Sequence, residues 1–329
     1  MGATQMAAVS IVIPTYNRAS VVGRAIDSAL AQTCDDLEVI VVDDGSTDGT
    51  AAVLESYGDD RLVVLETGAN SGANAARNRG IERASGEFVS FLDSDDELAP
   101  THLERVLEAF RTGSDRVGGV YTSYRKRRDG EVYDLIRARN RVTLADLGRG
   151  NPIGSFSATT FRADVFDAVG PLDEELPAVQ DYEFYLRVLA SSAFDEIRGV
   201  PEVLLDRHTD GERIGTDPRR KVAGYRRVLE RHGEHVDRRR RAEFAANVAI
   251  IYAENGQRKP AAAYLKGALA IDPGNVRYHC YYWAASISCG ALLAVLGAKS
   301  RLAVVANRLE GYRFRFSGRD RSPGKSSFR

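Results

Sequence analysis

The first hundred residues alternate between two hydrophobic periods. Val9 to Ile13 is a short run rich in β-branched residues, stopped by Pro14. Ala19 to Gln32 carries Val22, Ala25, Ile26, Ala29 and Leu30 at the spacing of one helical face. Leu37 to Val42 is a second apolar run and ends at Asp43-Asp44-Gly45. Ser46 or Thr47 is placed to cap the next helix, which carries Ala52, Val53 and Leu54. Arg61 to Leu65 reads as a third strand, Gly72 to Ala84 as a third helix, Glu87 to Leu92 as a fourth strand and Thr101 to Phe110 as a fourth helix. This alternation predicts an α/β fold, a mainly parallel sheet with helices on both faces and right-handed crossovers. Functional groups in such sheets gather beyond the carboxyl ends of the strands. The polar residues there are Thr15 to Arg18, Asp43-Asp44 and Asp93 to Asp96.

After Gly118 the pattern changes. Gly119 to Lys126 and Glu131 to Ile136 read as two strands around Arg127-Arg128-Asp129-Gly130, where Asp-Gly is a hairpin signal. Phe156 to Arg162 reads as a strand, Ala178 to Ala190 as a helix and Glu202 to Asp206 as a short strand. An antiparallel extension of this kind is where an acceptor-binding half could be built. From Pro218 onward the chain reads as helix. Ala242 to Pro273 resembles one tetratricopeptide repeat, and a single repeat reads as a helical appendage rather than a solenoid. Tyr278 to Ala298 is apolar, with Tyr278, Tyr281, Tyr282 and Trp283 at one end and Lys299 and Arg301 beyond the other. It reads as a buried helix of the appendage or as a membrane-contacting helix with an aromatic belt. Its length is borderline for spanning, and His279, Ser286, Ser288 and Gly290 interrupt it. The expected divisions are an α/β domain at 1–217, a helical and membrane-contacting appendage at 218–298, and a basic, flexible tail at 299–329.

A hydrophobic fraction of 43% in 329 residues supplies a real core, and a net charge of −1 gives no electrostatic case for nucleic acid. The charge is unevenly placed, with nine Lys/Arg against two Asp/Glu from Lys299 to Arg329. Cys34, Cys280 and Cys289 form no CxxC pair, which favours a reducing compartment. Met1 to Ala8 lacks the basic region and long apolar run of a signal peptide, so a cytoplasmic location is expected, at the cytoplasmic face of the plasma membrane if the appendage meets lipid.

Asp93 and Asp95, two apart beyond a strand, suit a hard cation such as Mg²⁺ or Mn²⁺ bridging a nucleotide diphosphate. Taken alone, an acidic loop is more often only solvated, and that is the reading for Asp96. Asp43 or Asp44 could merely cap the following helix. In the crevice reading, Asp44 accepts a hydrogen bond from the nucleobase and Asp43 orients the donor. Several carboxylates facing one crevice are costly unless a cation or ligand compensates them.

Four segments together resemble family 2 glycosyltransferases of the GT-A fold: Val12-Ile13-Pro14-Thr15-Tyr16-Asn17-Arg18, Val41 to Asp48, Asn70-Ser71-Gly72 with Ala75 to Asn78 and Gly80, and Phe91 to Asp96 with its Asp-x-Asp pattern. They occur in the family's order and spacing, and the likeness runs over roughly residues 9 to 215. The resemblance implies that Pro14, Thr15, Tyr16 and Arg18 line the nucleobase pocket, that Asp44 contacts the base, and that Arg77 supports base or diphosphate. It implies that Asp93 meets the ribose and metal side and that Asp95 binds metal directly. Gln180-Asp181-Tyr182-Glu183-Phe184 resembles the family's Glu-Asp-x-Glu/Asp-aromatic segment, with Gln180 in place of the commoner Glu. Asp181 would be the general base; without the resemblance it reads as a helix N-cap. Leu205-Asp206-Arg207-His208, followed by Gly211, resembles a later basic segment in which Arg207 pairs with phosphate and His208 reaches metal or phosphate.

The implied activity is inverting transfer of a sugar, from a UDP-sugar by preference, to a hydroxyl of a glycan or lipid-linked acceptor, in cell-surface glycan or lipid-linked oligosaccharide assembly. Two alternatives stand beside it: a polyprenyl-phosphate sugar transferase, whose ionised acceptor needs no base, and a catalytically silent nucleotide-binding module. The Gly-rich opening loop of sugar nucleotidyltransferases is missing.

Overall fold

Val9–Thr15 (β1) is buried along its whole length, as a continuous apolar strand covered on both faces must be. The computed structural model describes residues 8–210 and 217–297. In it β1 lies between β2 (Leu37–Asp43) and β4 (Phe88–Phe91), parallel to both, and β3 (Leu62–Glu66) pairs in parallel with β2. Thr15 is in register with Asp43, and Asp43 with Glu66, so these strands end at one edge. Among the described residues the strands form one ten-stranded sheet. Beyond β4 it continues through β9 (Thr159–Arg162), β6 (Val117–Arg128), β10 (Glu196–His208) and β5 (Glu97–Leu98), with β7 (Glu131–Ile136) on β6 and β8 (Arg141–Val142) on β10. β9 is antiparallel to both β4 and β6.

The helices of the first half are α1 (Val22–Leu30), α2 (Thr50–Glu55), α3 (Ala73–Arg83) and α4 (His102–Arg111). Three expectations change. The α2 helix is capped neither by Ser46 nor by Thr47: Asp48 accepts from the amide and hydroxyl of Thr50, and Ser46 is held by Asp43. Residues Phe156–Ala158 form a 3₁₀ turn, and the strand begins only at Thr159. The short strand expected at Glu202 to Asp206 is the end of the thirteen-residue β10, which pairs with β6 in parallel rather than extending an antiparallel hairpin. Gly199 and Pro201 interrupt its alternation, and its register shifts between Val200 and Val203.

The second half adds α5 (Leu144–Arg149), α6 (Asp164–Val169), α7 (Gln180–Ala190), α8 (Pro218–His232), α9 (Arg238–Glu254), α10 (Arg258–Ile271) and α11 (Val276–Ile287). The main core crosses residue 217: Tyr225, Val228, Phe244 and Val248 belong to the cluster that holds Phe91, Phe161 and Phe184. Tyr225 stacks on Phe244 with centroids 4.0 Å apart. An alanine-rich seam, with Ala242, Ala249, Ala261 and Ala268, then joins α9 to α10 and α11. The apolar stretch from Tyr278 is not one helix. α11 stops at an extended Ser288, and a second helical piece covers 289–297. No helix among the described residues is long and apolar enough to cross a membrane. Gly211 and the basic tail lie outside the described residues.

The α3 helix reaches the sheet because Gly80 has no side chain: a Cβ there would stand 2.4 Å from Cγ1 of the buried Val12 on β1. Gly80→Ala is expected to lower stability by about 1–3 kcal/mol through overpacking, measured by urea denaturation. An unchanged midpoint would contradict this close packing.

Candidate functional site

Because β1 to β4 end at one edge, the segments after them face each other and are bonded together. Asn17, in the left-handed region at φ 51°, accepts the Thr47 amide at 2.7 Å and donates its own amide to Ser46 Oγ at 2.8 Å. The Arg18 amide donates to Thr50 Oγ1 at 2.9 Å. Asp44 is buried and accepts three bonds: from the Gly72 amide at 2.7 Å, the Ser71 amide at 2.9 Å and Thr67 Oγ1 at 2.8 Å. It lines the cavity while holding the loop before α3. Asp43 is turned away: its Oδ1 accepts from the Ser46 amide at 3.0 Å and hydroxyl at 2.5 Å, and the residue does not line the cavity. For Asp43 the turn-forming reading therefore displaces the donor-orienting one.

One cavity of about 590 Å³ brings most of the expected residues together. Pro14, Thr15, Tyr16, Arg18 and Asp44 line one end; Arg77, Asp93, Asp95, Arg207 and His208 line it with them, and so does Asp181. Arg77 is only 6% exposed; its Nη2 donates to Asp93 Oδ1 at 2.6 Å, and its guanidinium lies 4.9 Å from the Phe156 ring centroid. The Asp93 amide donates to Ser157 Oγ at 3.1 Å, tying this strand end to the 3₁₀ turn.

Asp95 stays partly open, 3.9 Å from Arg18 Nη2, while its backbone carbonyl accepts from Arg24 Nη2 at 2.6 Å. Burial and the neighbouring Asp93 both push its carboxyl above the ordinary range. That is the state a cation would relieve, so Asp95 fits a divalent metal. The three-ligand set Asp93, Asp95 and His208 does not close: among the described residues no three His, Cys, Asp or Glu side chains converge as a metal cluster. Asp93 is engaged by Arg77, and the buried Nε2 of His208 lies 3.8 Å from Glu97 Oε2. Asp96 is no solvated neighbour. It is 1% exposed, accepts the His208 amide at 3.0 Å, and burial followed by Asp93 and Asp95 pushes it well up.

At the other end, Asp181 lies in the first turn of α7, whose N-cap is Val179, so the N-cap reading of Asp181 fails. Val179 is in the left-handed region at φ 59°, a strained place for a β-branched residue. Asp181 Oδ1 accepts the Tyr182 amide at 2.7 Å. Burial raises its carboxyl, opposed first by Lys221 and then by that amide, Arg207 and Arg77. The Arg207 side chain, on β10, makes no hydrogen bond or ion pair among the described residues. Burial disfavours its charge, and Asp96, Tyr124, Asp93 and Asp181 more than restore it. Among the lining residues that sequence reasoning missed are Ser155, Phe156, Lys221 and Glu254. The last two come from α8 and α9, where a lone Lys or Glu on a helix carries no signal of its own.

Residues 10–170 match the description "Glycosyl transferase family 2". This chain belongs to that family. An uncharacterized glycosyltransferase of Rickettsia bellii is 34% identical over 201 residues, covering 57% of this chain and 29% of that protein. The chain spans about a third of the length of the first curated relatives it matches. Among solved structures, S. aureus TarS in complex with UDP-GlcNAc aligns with a TM-score of 0.60 at 17% identity, covering 86% of this chain and 89% of that one. The mannosyltransferase PcManGT of Pyrobaculum calidifontis, in complex with GDP-Man and Mn²⁺, aligns at 0.56 and 21% identity, covering 93% and 87%. These likenesses fix the GT-A type fold, a nucleotide-sugar fold in both neighbours.

Asp44→Asn replaces one of two accepting oxygens with a donor facing backbone amides. In the protein without ligand this is expected to cost about 1–3 kcal/mol and to speed amide exchange at Ser71 and Gly72. Unchanged exchange there would mean that Asp44 does not hold the loop.

Proposed function

We propose that this chain moves a sugar with inversion from a nucleotide-sugar donor, a UDP-sugar by preference, to a hydroxyl of a glycan or lipid-linked acceptor. The observation that carries the reading is the single cavity running from Pro14 to Arg18 and Asp44, past Arg77, Arg207, Asp93 and Asp95, to the half-buried Asp181. A nucleoside would lie at the first end, its diphosphate among the cations, and the sugar between them and Asp181. The UDP-GlcNAc of TarS, on a fold aligned over most of both chains, favours uracil.

In the proposed reaction the acceptor oxygen attacks the anomeric carbon and its proton passes to Asp181. The anomeric carbon–oxygen bond breaks, and the nucleoside diphosphate leaves with the electron pair. Arg77 and Arg207 supply fixed positive charge where the leaving group gains negative charge. A divalent cation at Asp95, with Asp93 beside it, would add Lewis-acid stabilisation of the same diphosphate. Asp181 must be ionised to accept the proton, and burial raises its carboxyl. The rate should therefore fall with acid at a pH above the ordinary carboxylate range.

Asp181→Asn is expected to lower transfer about 10²–10⁴-fold with donor affinity unchanged, read by transfer rate and by titration calorimetry. Full retention would favour the already ionised polyprenyl-phosphate acceptor instead. In a thermal-shift panel with Mn²⁺, UDP-sugars should raise the melting temperature more than GDP-sugars, since bound ligand stabilises the folded state. The reverse order would overturn the uracil assignment.

A lipid-linked acceptor has separate support. Val276, Cys280, Trp283 and Ile287 form an exposed stripe on α11, Trp283 at 69% exposure, and the sequence beyond residue 298 is strongly basic. Full-length protein should float with anionic liposomes, and Trp283→Ser with Ile287→Ser should reduce flotation. Equal flotation of both would count against contact through this stripe.

A further inference from the structure

Two opposite charges share the far end of the cavity, and neither has an ion-pair partner among the described residues. Asp181 accepts the Tyr182 amide at 2.7 Å. The Lys221 ammonium makes no hydrogen bond or ion pair among the described residues and stands 5.5 Å from the ring centroid of Tyr225. Both line the cavity. A buried lone charge is costly, and an opposite charge across a low-dielectric gap is the usual compensation.

The backbone is built to bring the two together. Asp217 caps α8 by accepting the Arg219 amide at 2.8 Å, and Pro218 starts the helix. One turn after Lys221 comes Gly224, where a Cβ would stand 2.5 Å from the Ala178 carbonyl oxygen and 3.0 Å from the Val179 side chain. The α8 backbone therefore lies directly on the segment that leads into α7, two residues before Asp181. The strained Val179 is part of that contact.

The charges around the pair come from several elements. Asp181 is faced by Lys221 from α8, Arg207 from β10 and Arg77 from α3. It also acts on the hydroxyls of Tyr124 on β6, Tyr185 on α7 and Tyr225 on α8. Lys221 is faced by Asp181 and, repulsively, by Arg240 from α9 and Arg207. Arg240 already pairs with Glu243 at 2.7 Å. Arg77 is committed to Asp93.

We propose that Lys221 is a positioning residue for the Asp181 carboxylate: its ammonium is the counter-charge that keeps that carboxylate ionised at the acceptor end of the cavity. The helices after residue 217 thus complete the transfer site. This rests on the reading of Asp181 as the base. Lys221 acts through Asp181 and takes no proton from the acceptor.

The test is the pH profile of UDP-sugar turnover by the full chain with Mn²⁺, reading release of UDP by transfer or by hydrolysis, for wild type, Lys221→Met and Lys221→Arg. Removing a nearby positive charge raises the carboxyl further. The acid limb of Lys221→Met should therefore move up by about one pH unit, a loss of about tenfold on that limb, with the alkaline plateau kept. Lys221→Arg should restore the wild-type limb, and donor affinity should be the same in all three. If Met at 221 unfolds the protein, Lys221→Gln reads the same limb. An unmoved limb overturns the proposal, and so does an equal loss at every pH with a raised KM, which would make Lys221 a substrate contact. Asp181→Asn separates the two levels. If it stays active, the base assignment fails and takes this inference with it. If it is inactive while the Lys221→Met limb is unmoved, only the role of Lys221 fails.

Discussion

The Arg77–Asp93 ion pair is the contact on which the crevice depends. At 2.6 Å it spans the gap between α3 and the end of β4. It offsets the charge of Asp93, which after burial is the main influence pushing Asp95 and Asp96 toward protonation. Arg77 can do this because two features fix it. Gly80 lets α3 rest on Val12, and Phe156 lies beneath the guanidinium plane. Removing one partner of such a pair leaves a buried uncompensated charge, which costs more than the pair itself contributes.

Around this pair, the parallel strands supply position and the loops supply chemistry. The common edge of β1, β2 and β3 places residues 15–18, 44–50 and 67–72 within hydrogen-bonding reach. Asp44 joins two of these loops and still faces the cavity. A residue with both duties ties stability to ligand geometry, because the amides that shape the pocket are the ones it holds. The far wall has a different origin. It comes from the turn before α7 and from helices beyond residue 217, whose aromatic core is continuous with that of the sheet.

Much of this was legible in the sequence, and the exceptions have physical causes. The first hundred residues show clean period-2 and period-3.6 stretches, and the elements lie where those periods put them. β10 was read short because Gly199 and Pro201 break its alternation, although it runs on beside β6, with only the two-residue strands β5 and β8 outside it. Pro14, Tyr16, Arg77, Asp93 and Asp181 stood out because motif order identified them. Asp43 was misread because a carboxylate beside a turn can serve the turn alone. Asp96 looked solvated because nothing local says that β10 will fold over it. Lys221 and Glu254 were invisible for the opposite reason: on helices, only tertiary packing distinguishes a lining charge from a surface one.

The central claim is a single cavity with a donor end and one proposed base at the acceptor end, which allows one direct displacement at the anomeric carbon. The most direct measurement is the anomeric configuration of the newly formed glycosidic linkage, read by proton NMR before further transfer obscures it. An α-linked nucleotide-sugar should give a β-linked product. Retention of the α configuration would require either two successive displacements or attack on the face the diphosphate leaves, and would contradict the account.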